Sequence, residues 1–487
     1  MAPAKAKVLL SLLLIAGEAR AAFFAAAGKV DITPDLKREG AYLAGYGAAG
    51  RKARGIADRL YARALLLSDG RKTVALVGVD SIGLYREDIE RMRRSLGWLG
   101  EDRYLFVSAT HSHSAPDTLG LWGPLPGISG VKKKYQRRLN DSIVALVKDL
   151  SGRLEEAKIG AWRVETKPNG LCYDLRDPIV IDPEINVVQL RSRRSPERAL
   201  ATLVRWSCHP EVIGRDNDHI SSDYVGPLCE KIEEAGGGTC VFQSGLIGGL
   251  MSPETDHSPL RHFEEAKRVG HAVAALAIKA TRAGGEWTQG SVDFRSRLVR
   301  VPVENSRYLF FMPNLTFGHK LFGQNGRRIG KTQAYFLSLR HLIFFPLPER
   351  LRPWAETEIS LVQAGPVAFL GIPGEMFPEL AIGGYDGRYR FGHPLIRPTN
   401  PNPPDLRRAP KGPYLRQRLG KHAVLVGLAN DEIGYIVPEY DFIFNPNRAM
   451  HPRPPGTHYE ETNSIGRSAA ALLLGAYEEM LAEYAGR

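Results

Sequence analysis

Two histidines placed two residues apart are the residues in this 487-residue sequence best suited to chemistry. His111 and His113 lie within Thr110–Ser114, directly after the apolar run Tyr104–Val107, which predicts a short buried strand. On an extended backbone, residues two apart face the same side, so both imidazoles can point to one place. A surface loop that happens to carry two histidines is the alternative, so the interpretation depends on what else converges there.

Three more segments place reactive groups directly after apolar strands. If those strands lie in one sheet, their ends gather at one edge, where open α/β sheets usually carry their ligands. Imidazole nitrogens and a carboxylate are the ligand set of a catalytic zinc, which keeps one position open for water. The groups are His209 after Leu200–Trp206, Glu375 after Val367–Leu370, and the turn Asn430–Tyr435 after Ala423–Leu428.

Each of these residues also has a purely structural interpretation. His209 suits a buried histidine that is hydrogen-bonded to backbone, and Tyr435 suits a core position. Glu375 suits the N-terminus of a helix, where an acidic side chain is favoured.

The elements that must position these groups predict a mixed α/β fold, with flanking helices on mixed sheets. Strands alternate with helices through the first 285 residues, and later hairpins add antiparallel pairs. Residues 298–353 are aromatic and basic, which indicates a lid or an insertion, with extra core strands as the alternative. The predicted helices are Glu87–Leu96, Tyr135–Leu154, Tyr224–Glu234, Arg261–Arg282 and Thr462–Ala485, and the predicted first hairpin joins Tyr61–Leu67 to Thr73–Asp80.

The N-terminus has the pattern of a targeting segment. A basic start is followed by the apolar run Val8–Gly17 and by Ala19–Ala21, which suits a cleavage site. We therefore predict a signal peptide over residues 1–21 and an exported protein, periplasmic or secreted, with a retained N-terminal anchor as the alternative. Four cysteines in a chain of this length do not form a disulfide framework, and the sequence leaves open whether one or two bridges form.

The overall charge limits the partners. The formal net charge of +12 favours anionic surfaces such as lipid head groups, with simple solubility as the alternative. The sequence has no zinc-finger spacing or basic helix typical of nucleic-acid binding, so we expect no nucleic-acid partner. The sequence does not indicate an oligomeric state.

Six motifs occur in an order that resembles the neutral/alkaline non-lysosomal ceramidase family. The resemblance extends roughly over residues 29 to 480, and we assign residues 29–487 to a single catalytic domain of that type. The chain ends after this region, so we expect no C-terminal β-sandwich domain of the kind found in full-length ceramidases. The motifs are Val30–Pro34, Leu43–Gly47, Leu60–Leu65, Thr110–Ser114, Gly374–Glu375 and Asn430–Tyr435.

The resemblance implies a hydrolase of sphingolipid metabolism that holds one Zn²⁺ per chain. It implies that a zinc-bound water attacks the amide carbonyl of an N-acyl lipid such as ceramide and releases a sphingoid base and a fatty acid. The aromatic runs Phe310–Met312 and Phe344–Phe345 would suit an acyl pocket or peripheral membrane contact, with plain core packing as the alternative. The implied zinc ligands are His111, His209, Glu375 and Tyr435, and the implied catalytic residues are Ser252, His113 and Tyr459.

The sequence departs from the family pattern near Ser252. Leu250 and Glu254 stand where ceramidases have an aspartate and an asparagine, and Asn169–Leu171 lacks the arginine of an Asn-Arg pair. The role of Ser252 therefore stays open. Two alternatives remain: a zinc esterase or amidase with another substrate, and a surface protein of the same fold that binds lipid or glycan without turnover.

Overall fold

The computed structural model describes residues 22–255, 262–310, 314, 318–343, 348–445 and 453–485. It confirms the mixed α/β fold, with helices packed on sheets that contain both parallel and antiparallel pairs. The strands are β1 Phe24–Asp31, β2 Tyr42–Leu43, β3 Arg51–Lys52, β4 Gly55–Ile56, β5 Tyr61–Ser68, β6 Thr73–Val79, β7 Arg103–Ala109, β8 Glu155–Glu165, β9 Cys172–Asp174, β10 Glu184–Ser192, β11 Ala199–Trp206, β12 His219–Ile220, β13 Thr239–Ser244, β14 Met251–Pro253, β15 Val292–Pro302, β16 Leu321–Phe322, β17 Arg328–Ile329, β18 Trp354–Ala364, β19 Val367–Gly371, β20 Glu375–Met376, β21 Ala423–Val426 and β22 Tyr435–Ile436.

The helices lie between and after these strands. The predicted first, second, third and fourth helices are present within three residues of their expected ends. The helices are α1 Arg86–Leu96, α2 Lys133–Ser151, α3 Val225–Glu234, α4 His262–Arg282, α5 Ser306–Phe310, α6 Lys331–Ile343, α7 Pro378–Ile382, α8 Leu415–Leu419, α9 Tyr459–Thr462 and α10 Ala469–Ala485, with 3₁₀ turns at Glu349–Leu351, Leu406–Arg408 and Glu439–Asp441.

A first sheet of eight strands has the order β13-β11-β10-β8-β1-β5-β6-β7. Its antiparallel β5/β6 pair is the hairpin predicted from the sequence. The strand pairs at its two ends, β6/β7 and β11/β13, are parallel. Strands β7 and β11, which precede His111 and His209, therefore lie near opposite ends of this sheet.

The two ends of the first sheet approach each other. A Cβ added to Gly78 of β6 would lie 2.3 Å from the carbonyl oxygen of Phe242 in β13, so glycine permits this close contact. The Ser244 hydroxyl at the end of β13 donates to the Thr110 carbonyl at 2.7 Å. Because the sheet curls in this way, the segments after β7 and β11 become neighbours.

A second sheet carries the other two site segments, so the condition that all four strands lie in one sheet is not met. Its order is β17-β16-β18-β19-β21, with β15 paired to β18. Glu375 follows β19 and Tyr435 follows β21, and these two strands are parallel. Apolar side chains of both sheets share one core, including Phe106 of the first sheet and Phe369 of the second.

Two predicted segments take a form different from the one expected. The last helix begins at Ala469 and not at Thr462, because a short helix, α9, and an irregular stretch precede it. Of the region 298–353, residues up to Pro302 form part of β15, and α5, β16, β17 and α6 follow. Phe311, Met312 and the Phe344–Pro346 run lie outside the described residues, as does the predicted signal peptide 1–21.

Two further sequence questions are answered within the described residues. All four cysteines are buried free thiols. No helix in the described ranges is sufficiently long and apolar to cross a bilayer.

Candidate active site

His111 is held at the end of β7 by backbone contacts on both its main chain and its ring. Its φ of 70° is in the left-handed region, and its amide donates to the Ser81 carbonyl at 2.9 Å. The Nδ1 atom lies 2.6 Å from the carbonyl of Ile82. A carbonyl only accepts, so Nδ1 carries the proton and Nε2 of the neutral ring presents a lone pair. That Nε2 lies 3.8 Å from Oε1 of Glu375.

His209 repeats this arrangement from the other end of the curled sheet. Its Nδ1 lies 2.9 Å from the carbonyl of Met251, and its Nε2 lies 3.0 Å from Oε2 of Glu375. Both imidazoles are thus oriented by backbone carbonyls, as metal-binding histidines usually are. Glu375 lies in β20 and does not cap α7, which begins at Pro378, so the helix-capping alternative is excluded.

The donor set fits a cation. If His209 is neutral, two acceptor atoms face each other at 3.0 Å, which is repulsive unless a proton or a metal ion lies with them. In the protein without metal, burial opposes a charged His209, but the hydrogen bond to Glu375 prevails and raises its pKa. Burial lowers the pKa of His111 to about 3, so this ring is neutral and free to bind a metal. Burial would raise the pKa of Glu375, yet the two histidines keep it lowered.

His113 completes a cluster of three buried imidazoles. Ring nitrogens of His111, His113 and His209 lie within 4.8 Å of one another. The Nδ1 of His113 lies 3.2 Å from Oε2 of Glu211, and the Tyr46 ring packs edge-on against the imidazole. The Nδ1 atom of His113 therefore faces a carboxylate, whereas Nδ1 of each of the other two rings faces a backbone carbonyl.

Glu211 is a site residue that the sequence reasoning missed. Its Oε1 accepts a hydrogen bond from the Ser252 hydroxyl at 2.6 Å while Oε2 faces His113. Burial opposes its ionisation, but contacts with His113, His209 and Ser252 lower the pKa of Glu211 to about 2. The spacing His209-Pro210-Glu211, with an acid two residues after a candidate ligand, was the available signal.

Tyr435 and Tyr459 lie on the other side of Glu375. Tyr435 is paired with Glu375 in the short parallel ladder of β20 and β22, and its side chain is one of the groups that lower the pKa of that carboxylate. The Tyr459 ring lies 6.3 Å from the Tyr435 ring, between centroids, and its side chain is 43% exposed. Although part of the ring is exposed, desolvation by the surrounding protein, reinforced by the Glu375 charge, raises the pKa of Tyr459 to about 12, so its hydroxyl stays protonated at neutral pH.

The two departures from the family pattern contact each other. Ser252 lies in β14, opposite Tyr173 of β9, and Leu250 just before it has a positive φ of 57°. The Glu254 carboxylate accepts a hydrogen bond from the amide of Gly170, in the segment that lacks the arginine. The altered serine loop and the altered Asn169–Leu171 segment therefore form one local contact.

Asn430 connects the two sheets beneath the site. Its Oδ1 accepts from the Val107 amide at 2.9 Å, and its Nδ2 donates to the Tyr104 hydroxyl at 2.9 Å and to the Ser360 hydroxyl at 3.1 Å. Tyr104 and Val107 lie in β7, and Ser360 lies in β18. The motif Asn430–Tyr435 thus begins with a cross-sheet connection and ends with a site tyrosine.

Comparison with known proteins supports the resemblance found in the motifs. Residues 23–168 match the family model described as neutral/alkaline non-lysosomal ceramidase, N-terminal. Neutral ceramidases of Drosophila pseudoobscura pseudoobscura and Drosophila melanogaster are 33% and 32% identical over 242 and 241 residues. Each match covers 45% of this chain and 33% of the relative, so the chain matches about a third of the length of these proteins.

Solved structures extend the likeness over nearly the whole fold. The neutral ceramidase from Pseudomonas aeruginosa matches with a TM-score of 0.63 at 17% identity, covering 93% of this chain and 73% of that one. A ceramidase complexed with C2 matches with a TM-score of 0.62 at 16% identity, covering 94% of this chain and 74% of that one. The fold is therefore that of the neutral ceramidases.

Proposed function

Because residues 23–168 carry the N-terminal domain of the neutral/alkaline ceramidase family, we propose that this protein is a zinc-dependent hydrolase of N-acyl lipids. Its reaction is hydrolysis of an amide bond, with ceramide as the first candidate substrate. The observation that carries the proposal is the convergence of two imidazoles on one buried carboxylate. The Nε2 atoms of His209 and His111 lie 3.0 and 3.8 Å from the carboxylate oxygens of Glu375.

The residues that would hold the metal are His111, His209 and Glu375, with Tyr435 as the fourth ligand. When bound, zinc would lower the pKa of a water molecule and polarise the substrate carbonyl. The backbone carbonyls of Ile82 and Met251 fix the tautomers of the two histidines, so the ligand nitrogens are oriented before any metal binds.

His113 is the residue best placed to move a proton. Its imidazole lies among the candidate ligand rings with the Glu211 carboxylate 3.2 Å from Nδ1, so it could accept a proton and pass it to the leaving amine. Tyr459 supplies a protonated hydroxyl, which would donate to the oxygen that gains charge in the transition state. Ser252 donates a hydrogen bond to Glu211 at 2.6 Å, so its catalytic contribution would run through the Glu211–His113 pair.

Metal content and turnover test this function together. Purified wild type should contain about one zinc per chain and hydrolyse ceramide, and both properties should be lost in His111→Ala and His209→Ala. His219→Ala is the matched control, because His219 lies in an exposed position beside Asp218 and outside the cluster. A folded wild type that takes up no zinc would overturn the proposal.

Substrate profiling separates the alternatives that share the metal. Matched N-acyl amides and O-acyl esters of one fatty acid should show preference for the amide. Zinc-dependent cleavage of the ester alone would favour an esterase, and zinc uptake without cleavage of either would favour a binding protein.

We also propose that residues 1–21 direct export of the protein. The observation behind it is the basic, apolar and small-residue order of this segment. Mass spectrometry of the protein recovered outside the cytoplasm should find Ala22 as the first residue. An uncleaved chain in the membrane fraction would favour the retained anchor.

A further inference from the structure

A loop with no charged residue protrudes between β7 and α2. All six residues from Pro124 to Ser129 are exposed, including Leu125 at 64% and Ile128 at 51%. We call residues 124–129 the apolar finger. A soluble surface normally exposes large apolar side chains singly and among charged neighbours. Two such side chains, separated only by proline and glycine, mark this loop as a contact surface.

The finger stands on a rigid base. Oδ2 of the buried Asp117 accepts hydrogen bonds from the amides of Trp122 and Gly130, both at 3.0 Å, which closes the loop at its two ends. A Cβ on Gly130 would lie only 1.9 Å from the Trp122 carbonyl oxygen, so the two ends of the loop approach as closely as glycine allows. These contacts fix the base of the loop, so its apolar tip stays exposed to solvent.

Directly after the finger, the first turn of α2 is cationic. Lys133, Lys134 and Arg137 are exposed and border an open depression of about 650 Å³. Arg138 in the same turn pairs with Glu39, whereas no ion pair within the described chain involves the other three. We call Lys133, Lys134 and Arg137 the basic turn. Asp141, one turn later, is the acidic group that lines the same depression.

The base of the finger is attached to the wall of the candidate active site. The Asp117 amide donates to the carbonyl of Tyr42 at 2.8 Å, and the Ala44 amide donates to the carbonyl of Ala115 at 3.1 Å. The same segment continues to Tyr46, whose ring contacts His113. The finger and the imidazole cluster therefore belong to one end of the molecule.

We propose that the apolar finger and the basic turn dock this end of the protein on a membrane that contains anionic lipids. Leu125 and Ile128 enter the boundary between head groups and acyl chains, while the three cations contact lipid phosphates. The pairing of apolar tips with adjacent lysine and arginine is the combination that interfacial membrane binding requires. The complementary charge favours lipid over a second copy of this chain, which presents the same positive surface.

Vesicle binding without turnover tests the proposal independently of the hydrolase function. Purified protein is sedimented with vesicles of phosphatidylcholine alone and of equal parts phosphatidylcholine and phosphatidylglycerol. We expect binding to the anionic vesicles that weakens as salt increases, because head-group attraction is screened. Leu125→Ser with Ile128→Ser, and separately Lys133→Gln, Lys134→Gln with Arg137→Gln, should each weaken binding on the order of tenfold.

Matched controls lie on other surfaces of the fold. Leu99→Ser removes an equally exposed side chain, at 65%, from the turn before β7, near the end of that strand opposite His111. A glutamine triple at Lys231, Lys267 and Lys279 removes equal charge from α3 and α4. Both controls should bind vesicles as wild type does.

Three results would overturn the docking proposal. They are a wild type that ignores anionic vesicles, finger variants that bind as wild type, and finger variants whose only change is loss of self-association in light scattering. Wild type that binds vesicles but cleaves no amide would support the docking and refute the proposed function. Hydrolysis of a soluble short-chain amide should be unchanged in the finger variants.

Discussion

Replacing Asn430 tests whether the two sheets are joined where the structure joins them. The side chain makes three buried hydrogen bonds, to Val107, Tyr104 and Ser360. The backbone at Asn430 has φ of 62°, a conformation that asparagine and glycine tolerate better than alanine. Asn430→Ala should therefore remove the cross-sheet contacts and also introduce backbone strain.

The expected loss follows from these contacts. Three buried hydrogen bonds at about 1 kcal/mol each give about 3 kcal/mol, and alanine in the left-handed region adds about 1–2 kcal/mol. Asn430→Ala should thus lower the free energy of unfolding by about 4–5 kcal/mol. Asn430→Gly loses the same hydrogen bonds without the strain. After its greater chain entropy is subtracted, it should be more stable than the alanine variant by about 0.5–1 kcal/mol.

Urea unfolding followed by tryptophan fluorescence measures both values. The free energy of unfolding should decrease in the order wild type, Asn430→Gly, Asn430→Ala. The two variants should differ only by the conformational free energy of the backbone at this position. A loss below about 1 kcal/mol in Asn430→Ala would refute the cross-sheet role. Equal stability of the two variants would refute the strain argument alone.

Four other substitutions probe the site and its supports. Glu211→Gln should lower kcat about 10–100-fold with zinc content unchanged, because His113 loses the negative charge that lies 3.2 Å from its Nδ1; unchanged kcat would contradict this role. Burial raises the pKa of Glu379 to about 8, so the folded state holds a proton that the unfolded state loses above its ordinary value, and wild-type stability should fall as pH rises from about 4.5 to 8. Glu379→Gln should flatten that part of a denaturation profile, and an unchanged slope would argue against the raised pKa. Gly78→Ala should destabilise by about 2–3 kcal/mol, because its Cβ would meet the Phe242 backbone. Gly475→Ala, on an open position of α10, should stabilise by about 0.5–1 kcal/mol, and equal effects of the two in thermal unfolding would refute the close contact.

The sequence allowed much of the site to be predicted because its residues follow strands. Apolar runs before His111, His209 and Glu375 were strong enough to predict those strands, and polar residues at strand ends tend to gather. The ordered motifs then predicted that Tyr435 lies with them, and the structure brings all four side chains together.

The features that the sequence did not predict depend on contacts between distant parts of the chain. Nothing local distinguishes a strand of the first sheet from one of the second, so the division of the four site strands between two sheets was not predictable. Glu211 was missed because it follows Pro210 in a segment where nothing local distinguishes it from a surface acid. The last helix begins later than predicted because Gly466, which lies against Glu304, interrupts the helical segment.

The meeting of two sheets at the imidazole cluster has a consequence for folding. Glu375 and Tyr435 come from the last third of the chain, whereas the three histidines come from the first half. Local contacts form quickly and distant ones late, so the cluster is among the last parts of the molecule to be completed. A ligand that binds only there adds its binding energy to the native state. The thermal midpoint should therefore rise with free zinc and fall with a chelator. Zinc binding at this site would thus report that both sheets have folded and packed together.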